Sequence, residues 1–493
     1  MTSLDHKTLF NAIIRRGNYL ITMHRLFILL LCLLPTFLKG QSKLSFEEPV
    51  KQRVFVLTDI TNEPDDQESL VRFLVYSNEY DVEGIVATTS THLRNTVRKD
   101  KIEQLVDAYE KVRPNLEKHS SGFPSAAYLR SVTAEHLPLY SMEGVGEGKN
   151  SAGSDLLIKA AYRKDDRPLW VSVWGGANCL AQALWQVRAT RSESDVKAFV
   201  SKLRVYSISD QDFAGRWIRE TFPGIFYIVD PSAGDSWYEY YKATWTGISG
   251  DKWYKNGPLY KYELVDNPWL TENIRENHGP LGEYYLPFAY IMEGDTPAFL
   301  GLINNGLGWY VSPAYGGWGG RYELFQSYAE PLKIWTSTVR TQDEVKLPGG
   351  NVFASNQATI WRWRDAYQND FAARMDWNIS GDFKRANHNP VITLNGNKGK
   401  AIAHGRFKAG EKIHLSAKGT VDPDDDQLSY LWFVYKEVGE LKPEFVFDPV
   451  SGPDMKFTMP SLDKGKEMHI ILEVKDSGEP SLCAYRRIVL TTE

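Results

Sequence analysis

The chain has 493 residues, which is longer than one ordinary domain, so we expect two or more domains. Hydrophobic residues make up 42% and charged residues 24%, a balance typical of a soluble globular protein and not of a disordered chain. The formal net charge is −5, and the sequence has no basic run of the kind that binds phosphate backbones. Composition therefore argues against nucleic acid as a partner.

The N-terminus carries the pattern of a secretory signal peptide. A basic pair at 24–25 precedes an apolar run at 26–34 that is too short to span a bilayer comfortably. We expect cleavage near 40–41, no transmembrane span in the mature chain, and an exported protein that is periplasmic, extracellular or associated with the cell surface. Residues 1–40 are then an N-terminal extension and signal peptide, with Met23 as an alternative start. A buried core helix is the competing interpretation.

From residue 53, short β-rich runs alternate with amphipathic helical runs. This alternation implies right-handed crossovers and an open, mostly parallel sheet with helices on both faces. The predicted strands are 54–57, 82–89, 169–174, 203–209 and 225–229, and the predicted helices are 69–76, 97–112 and 178–189. We therefore predict an α/β domain over residues 41–386, in which residues 232–350 form irregular helices and loops.

The pattern changes near Asn387 to short alternating strands separated by turns. Roughly a hundred residues of this kind predict an immunoglobulin-like β-sandwich over residues 387–493. The acidic turn at 420–426 has two interpretations, a calcium-binding turn and a solvated hairpin.

Acidic residues cluster where the first predicted strand ends. Asp59, Glu63, Asp65 and Asp66 lie close together, and Asp295 follows much later in the chain. Ligands of open α/β sheets bind outside the carboxyl ends of the strands, so we expect these groups to meet at one edge. Carboxylates repel one another unless a cation neutralises them, and Ca²⁺ prefers carboxylate and carbonyl oxygens. Helix capping is the alternative, although it accounts for only one or two of the acids.

The acidic motif resembles a known signature. Asp59 followed by the pair 65–66 is similar to the N-terminal motif of nucleoside hydrolases, and the turn 174–178 is similar to a metal-binding turn of that family. The closer resemblance is to secreted nucleoside-hydrolase-like proteins described as cellulose-binding, which carry a C-terminal Ig-like domain. Segments 358–364 and 369–374 share that resemblance. It implies an open, mostly parallel sheet of nucleoside-hydrolase type.

The resemblance also implies roles for individual residues. Asp59 would be the general base that activates a water near the cation. Asp65 and Asn178 would bind sugar hydroxyls. The implied calcium ligands are Asp59, Asp66, Asp295 and the carbonyl of Ala177. Four further residues are predicted to bind substrate because they follow strands at the same edge of the sheet. They are Asn62, Thr88, Thr89 and Asp212.

Two features depart from the nucleoside-hydrolase pattern. The loop between Asp59 and the aspartate pair is longer, and Gly294 stands where some members have a histidine. A leaving group would then lack its usual acid. Glu63 and Glu293 are candidate replacements, because a carboxylic acid suits an O-glycoside leaving group, although both residues could be surface groups.

A segment rich in Gly, Trp and Tyr spans residues 306–320. Trp309 and Trp318 of this segment are predicted to stack on an extended glycan. A packed irregular segment without a binding role is the alternative.

These patterns predict an exported, calcium-dependent glycosidase that hydrolyses N-glycosyl or O-glycosyl bonds of a carbohydrate or nucleoside-like substrate. The alternative is a non-catalytic protein that binds a cellulose-like polysaccharide on the same scaffold. The missing histidine favours the alternative, and the complete set of aspartates favours the enzyme. Further copies of the chain, in a homo-oligomer, are the other partner considered.

Overall fold

The computed structural model describes residues 43–232, 237–439, 446–462 and 465–493. The predicted signal peptide therefore lies outside the described residues. Within these ranges, no helix combines the length and the apolar character that crossing a membrane requires.

Strands and helices alternate through the first half of the chain, and strands predominate near its end. The strands are β1 (Leu44–Glu47), β2 (Gln52–Thr58), β3 (Tyr80–Ala87), β4 (Thr133–Glu135), β5 (Leu169–Val173), β6 (Leu203–Ser207), β7 (Phe226–Ile228), β8 (Glu323–Phe325), β9 (Ile334–Thr336), β10 (Asp343–Lys346), β11 (Val352–Ser355), β12 (Thr393–Leu394), β13 (Asn397–Lys398), β14 (Ile402–Phe407), β15 (Lys412–Ser416), β16 (Ser429–Val434), β17 (Val450–Ser451), β18 (Asp454–Thr458), β19 (Glu467–Lys475) and β20 (Cys483–Thr492). The α-helices are α1 (Pro64–Val75), α2 (Lys99–His119), α3 (Ala126–Ser131), α4 (Ala152–Tyr162), α5 (Asn178–Thr190), α6 (Glu193–Ser201), α7 (Phe213–Thr221), α8 (Asn267–Leu270), α9 (Gly279–Tyr284), α10 (Pro297–Leu300), α11 (Ala358–Trp361) and α12 (Arg364–Ile379).

Eight strands form the main sheet, in the order β4-β3-β2-β5-β6-β7-β9-β8. Neighbouring strands are parallel except β8 and β9, which pair antiparallel at one edge. Every residue of β2 is buried, because both faces of a parallel sheet are covered. From β2 the chain winds outward through β3 and β4, and it then returns to β5 on the other side of β2. The winding thus reverses between β2 and β5, and such a switch point is the usual ligand position in this class of fold.

The C-terminal part forms a strand-rich sandwich. One sheet has the order β1-β14-β20-β19-β16-β17, and β15 pairs with β18 in a second. The core contains the fully buried Trp432 together with Leu472 and Ile488. The predicted α/β class and the predicted sandwich are therefore confirmed. The strands that were not predicted are β1, β4, β8, β9, β10, β11, β13, β14, β17 and β18.

Residues 44–493 form one compact unit. Arg487 of β20 is fully buried and donates hydrogen bonds to the carbonyls of Leu307 and Gly316 in the α/β part, the second at 3.0 Å. The Tyr435 hydroxyl donates to Asp343. Residues 44–47, which the sequence placed with the first domain, form β1 at the edge of the sandwich sheet. The boundary between residues 386 and 387 stays a prediction.

Candidate functional site

The acidic loop follows β2 at the switch point of the sheet. β2 ends at Thr58, and α1 begins at Pro64 with two acids, Asp65 and Asp66, in its first turn. Proline suits the first helical turn, because the N–H that it lacks would have no partner there. The loop after β5 reaches the same edge, since β5 lies beside β2.

Three carboxylates meet in this loop. One oxygen each of Asp65, Asp66 and Asp295 lies within 4.8 Å of the other two. The three residues are only 8%, 4% and 2% exposed. The Thr58 hydroxyl donates a hydrogen bond to Asp66, whereas Oδ2 of Asp295 is buried without a hydrogen-bond partner. We call Asp65, Asp66 and Asp295 the carboxylate triad.

The electrostatics of the triad disfavour the ionised form of its carboxyl groups. Burial, followed by the charges of Glu63 and Asp59, raises the pKa of Asp65 to about 8. Burial and the neighbouring carboxylates also raise the pKa values of Asp66 and Asp295 well above their usual range. A divalent cation would favour the ionised carboxylates and give Oδ2 of Asp295 a partner. The donor set therefore fits a hard cation such as Ca²⁺.

Asp59 lies beside the triad and outside the compact group of three. Burial raises the pKa of Asp59, while a hydrogen bond with Ser90 and the proximity of His92 lower it. A Cβ atom at Gly175 would overlap the Asp59 carboxylate. Glycine at this position therefore lets the loop after β5 approach the acid closely.

Glu63 is the N-cap residue of α1 and is partly exposed. Burial raises its pKa, His92 opposes this shift, and Asp59 adds to it. Asn62, a predicted substrate-binding residue, is exposed in the same loop. His92 was missed from the sequence, although its position shortly after a strand that ends at the ligand-binding edge could have drawn attention to it.

Gly294 explains the missing histidine. A Cβ atom there would lie 2.6 Å from Oδ2 of Asp65 and 2.8 Å from Cδ1 of Ile291. A side chain at this position would therefore force Asp65 or Ile291 to shift. The departure from the nucleoside-hydrolase pattern is part of how the triad packs.

Glu293 does not face the site, and its predicted role as a catalytic acid is corrected. The residue is fully buried, and its carboxylate forms an ion pair with Arg72. It also accepts hydrogen bonds from Tyr285 at 2.7 Å and from Thr296 at 2.8 Å. Because both oxygens accept hydrogen bonds inside the core, the Glu293 carboxylate is not available to a leaving group at the site.

Asn178 and Thr89 hold the site's loops together. The Asn178 amide nitrogen donates to Oγ1 of Thr89 and to the carbonyl of Leu139, both at 2.9 Å, and its oxygen accepts from the N–H of Cys179. Thr89 in turn donates to Leu139 at 3.0 Å. These bonds occupy both N–H groups of the Asn178 amide and the hydroxyl proton of Thr89 but leave acceptor lone pairs free, so the sugar-binding role of both residues stays a prediction. The neighbouring Thr88 hydroxyl is buried without a partner and stays a candidate.

Asp212 and Ala177 lie next to one another at helix starts. Asp212 caps α7, where Oδ1 accepts from the N–H of Ala214 at 2.9 Å. Burial raises the pKa of Asp212 to about 7, and backbone hydrogen bonds, first that of Ala177, oppose the shift. The Ala177 carbonyl accepts the N–H of Ala181 at 2.9 Å. Its role as a calcium ligand stays a prediction, since a carbonyl oxygen has a second lone pair.

Trp309 and Trp318 belong to the core, so their predicted stacking on a glycan is corrected. Each is only 2% exposed. Trp309 donates to the Gly320 carbonyl at 2.7 Å and packs against the rings of Trp170 and Tyr206. Burying these large apolar rings stabilises the fold more than leaving them in water would. The glycines of this segment allow the backbone turns that direct the rings inward.

Comparison with protein-family models identifies both parts of the chain. Residues 53–322 match the model described as the nucleoside hydrolase-like domain of cellulose-binding Sde182. Residues 412–492 match the C-terminal domain of cellulose-binding protein Sde0182. The chain belongs to this family. The resemblance drawn from the acidic motif is thereby confirmed.

A solved structure resembles most of this chain. It is a nucleoside hydrolase-related hypothetical protein from Saccharophagus degradans that is associated with carbohydrate metabolism. The two proteins are 36% identical with a TM-score of 0.76, and the match covers 90% of this chain and 100% of that chain. The effector protein XOO4466 aligns at 9% identity and a TM-score of 0.33, over 59% of this chain and 88% of that chain, which is too weak a likeness to relate the two. No curated protein matches the chain.

Proposed function

We propose that this member of the cellulose-binding Sde182 family is an exported, calcium-dependent hydrolase of glycosidic bonds, acting on a cellulose-like polysaccharide or another carbohydrate-containing substrate. The carboxylate triad carries the proposal. It is buried, it lies at the switch point of a nucleoside-hydrolase-like fold, and its three carboxyl groups are costly to ionise without a cation. The predicted signal peptide and the family's description as cellulose-binding support export.

Asp65, Asp66 and Asp295 are the proposed protein ligands of the cation. A bound divalent cation supplies positive charge, which makes a nearby water more acidic and attracts sugar hydroxyls. This assignment adds Asp65 to the metal ligands and keeps Asp59, which lies beside the triad, only in its predicted role as general base.

Asp59 is the proposed general base, and Glu63 is the proposed general acid. Asp59 takes a proton from the water whose oxygen forms the new bond to the anomeric carbon. The bond from that carbon to the leaving atom breaks, and Glu63 protonates the leaving atom. Burial raises the pKa of Glu63, which favours the protonated form that this step needs. His92 interacts electrostatically with both carboxylates and opposes the rise in their pKa values.

The test combines calcium binding with substrate turnover. Calorimetric titration of Ca²⁺ into chelator-stripped protein should show one binding event that Asp66→Asn removes. Cello-oligosaccharides and nucleosides should then be screened for products with and without calcium. Loss of turnover in Asp59→Asn and Glu63→Gln, with the calcium-dependent thermal shift retained in Glu63→Gln, would support the assignment. Absence of calcium binding at millimolar concentration would refute it.

Non-catalytic carbohydrate binding is the second candidate. It is favoured by the ion pair that keeps Glu293 out of the site and by the family's description as cellulose-binding. It predicts calcium-dependent binding of oligosaccharides with no product formed by the wild-type chain.

A further inference from the structure

Two exposed aromatic side chains form a pair outside the sheet. Trp253 is 52% exposed and Tyr290 is 48% exposed. Their ring centroids are 5.0 Å apart, and the ring planes make an angle of 63°. Among the tryptophans whose side chains the structure describes, Trp253 is the most exposed. Keeping two adjoining rings half in water costs hydrophobic free energy, so the pair suggests a binding surface.

The segments that carry these rings are fixed to one another and to the acidic site. The Ser249 hydroxyl donates to the carbonyl of Met292 and accepts from its N–H, both at 2.8 Å. Gln67, the residue after the aspartate pair in α1, donates to the carbonyl of Tyr284 at 2.6 Å. The aromatic pair therefore lies on segments that are anchored beside the triad.

Tyr254 connects the pair with the acids. It directly follows Trp253 in the chain, and its ring meets Trp245 edge-on at 6.3 Å. Trp245 lies against Gly294, where a Cβ atom would be 3.1 Å from its Cζ3. After burial, the charges of Asp65 and its neighbour Glu63 are the causes that raise the pKa of Tyr254, which agrees with this placement.

We propose that Trp253 and Tyr290 form a platform that binds a sugar ring of an extended, neutral polysaccharide chain beside the acidic site. This inference rests on the proposed function and specifies its substrate. The C–H faces of pyranose rings are apolar and stack on aromatic faces, while the ring hydroxyls stay in water. Lys252, which precedes Trp253 in the chain, has its charge paired with Asp266 at 3.5 Å. A chain with one unit at the acids and others on the platform binds better than a disaccharide that fills only the acidic site.

The test measures how affinity depends on chain length. The parent protein is calcium-loaded and full-length and carries Asp59→Asn, so that the oligosaccharides are not hydrolysed during the experiment. It is titrated calorimetrically with cellohexaose and, separately, with cellobiose. Adding Trp253→Ala should weaken cellohexaose binding about tenfold, since an aromatic ring loses its buried contact, and should change cellobiose binding little. Tyr290→Ala should act in the same direction, and Trp253→Phe should restore part of the affinity. Tyr328→Ala is the matched control, because this residue is 99% exposed and lies in the turn between β8 and β9.

The calcium-induced shift in melting temperature separates this inference from the proposed function. An unchanged shift in Trp253→Ala shows that the fold and the triad are intact. If that variant binds cellohexaose as tightly as its parent, or loses both ligands equally, the platform is refuted while the calcium site stands. If the parent shows no calcium response, the proposed function fails, and a loss of cellohexaose binding that is specific to Trp253→Ala still supports the platform.

Discussion

Asp65→Asn should change stability in opposite directions with and without calcium. The pKa of Asp65 is raised from 3.8 to about 8, mainly by burial. At pH 7 the residue is therefore protonated in the folded chain and ionised in the unfolded chain. Between pH 3.8 and pH 7, ionisation stabilises the unfolded chain but not the folded chain, by about 1.4 kcal/mol for each pH unit. This aspartate therefore lowers the free energy of unfolding by about 4 kcal/mol at pH 7. The cost disappears below pH 4 and grows as the pH rises toward 8.

Asparagine at position 65 is uncharged in both the folded and the unfolded chain, so this cost is absent from the variant. The variant should therefore be more stable than the wild type in chelator at neutral pH. Calcium reverses the order, because it binds the folded wild type and finds one ligand fewer in the variant. A cation present at a thousand times its Kd adds about 4 kcal/mol to the free energy of unfolding. The two stability curves should therefore cross as calcium is added.

The assay is urea unfolding at pH 7, in chelator and in millimolar calcium, followed by far-UV circular dichroism. Asp212→Asn is the matched control, since Asp212 is also a buried aspartate with a raised pKa but lies outside the triad. Asparagine preserves its helix cap, so this variant should keep the calcium response of the wild type. A variant Asp65→Asn that is less stable than the wild type in chelator, or equally stabilised by calcium, would refute the reasoning.

Further predictions address catalysis, packing, pH and domain autonomy. Asp59→Asn should lower kcat by two orders of magnitude or more on any substrate the wild type hydrolyses, because the general base is lost, and a smaller loss would contradict that role. Gly294→Ala should weaken calcium binding in calorimetric titrations, since its Cβ would lie 2.6 Å from Asp65. Burial lowers the pKa of His469 to about 4, so its contribution to stability is present above its ordinary pKa of 6.5 and is lost as pH falls toward 4. Urea unfolding at pH 7 and pH 5 should show this loss, and His469→Gln should reduce the difference. Residues 388–493 should unfold cooperatively in thermal melts but be less stable than the same fragment joined to the β1 segment, and equal stabilities would contradict a structural role for that strand.

Local pattern predicted the main sheet well, because its central strands are continuous apolar runs between amphipathic helices. The edge strand β8 has three residues, with Leu324 and Phe325 exposed, so nothing in its composition distinguishes it from a loop. β1 was missed for another reason, since its partner β14 lies far along the chain.

The acids at the switch point were predicted because topology alone brings the ends of β2 and β5 together. The errors concern residues whose environment is set by distant partners. Glu293 was a reasonable candidate acid until the structure paired it with Arg72, 221 residues away. The segment that contains Trp309 and Trp318 has the composition of a sugar-binding loop. Only tertiary packing shows that both rings point into the core.

The pairing of β1 with β14 also affects the order in which parts of the protein can fold. Ser45 faces His404 across the two strands, a separation of 359 residues. A chain synthesised from its N-terminus carries this strand segment unpaired while the whole α/β part is made, and the sandwich sheet gains its outer strand only after β14 has emerged. During that interval an unpaired edge segment is open to wrong partners. Chaperones should therefore bind nascent chains truncated before residue 402 more strongly than full-length chains, at this segment in particular.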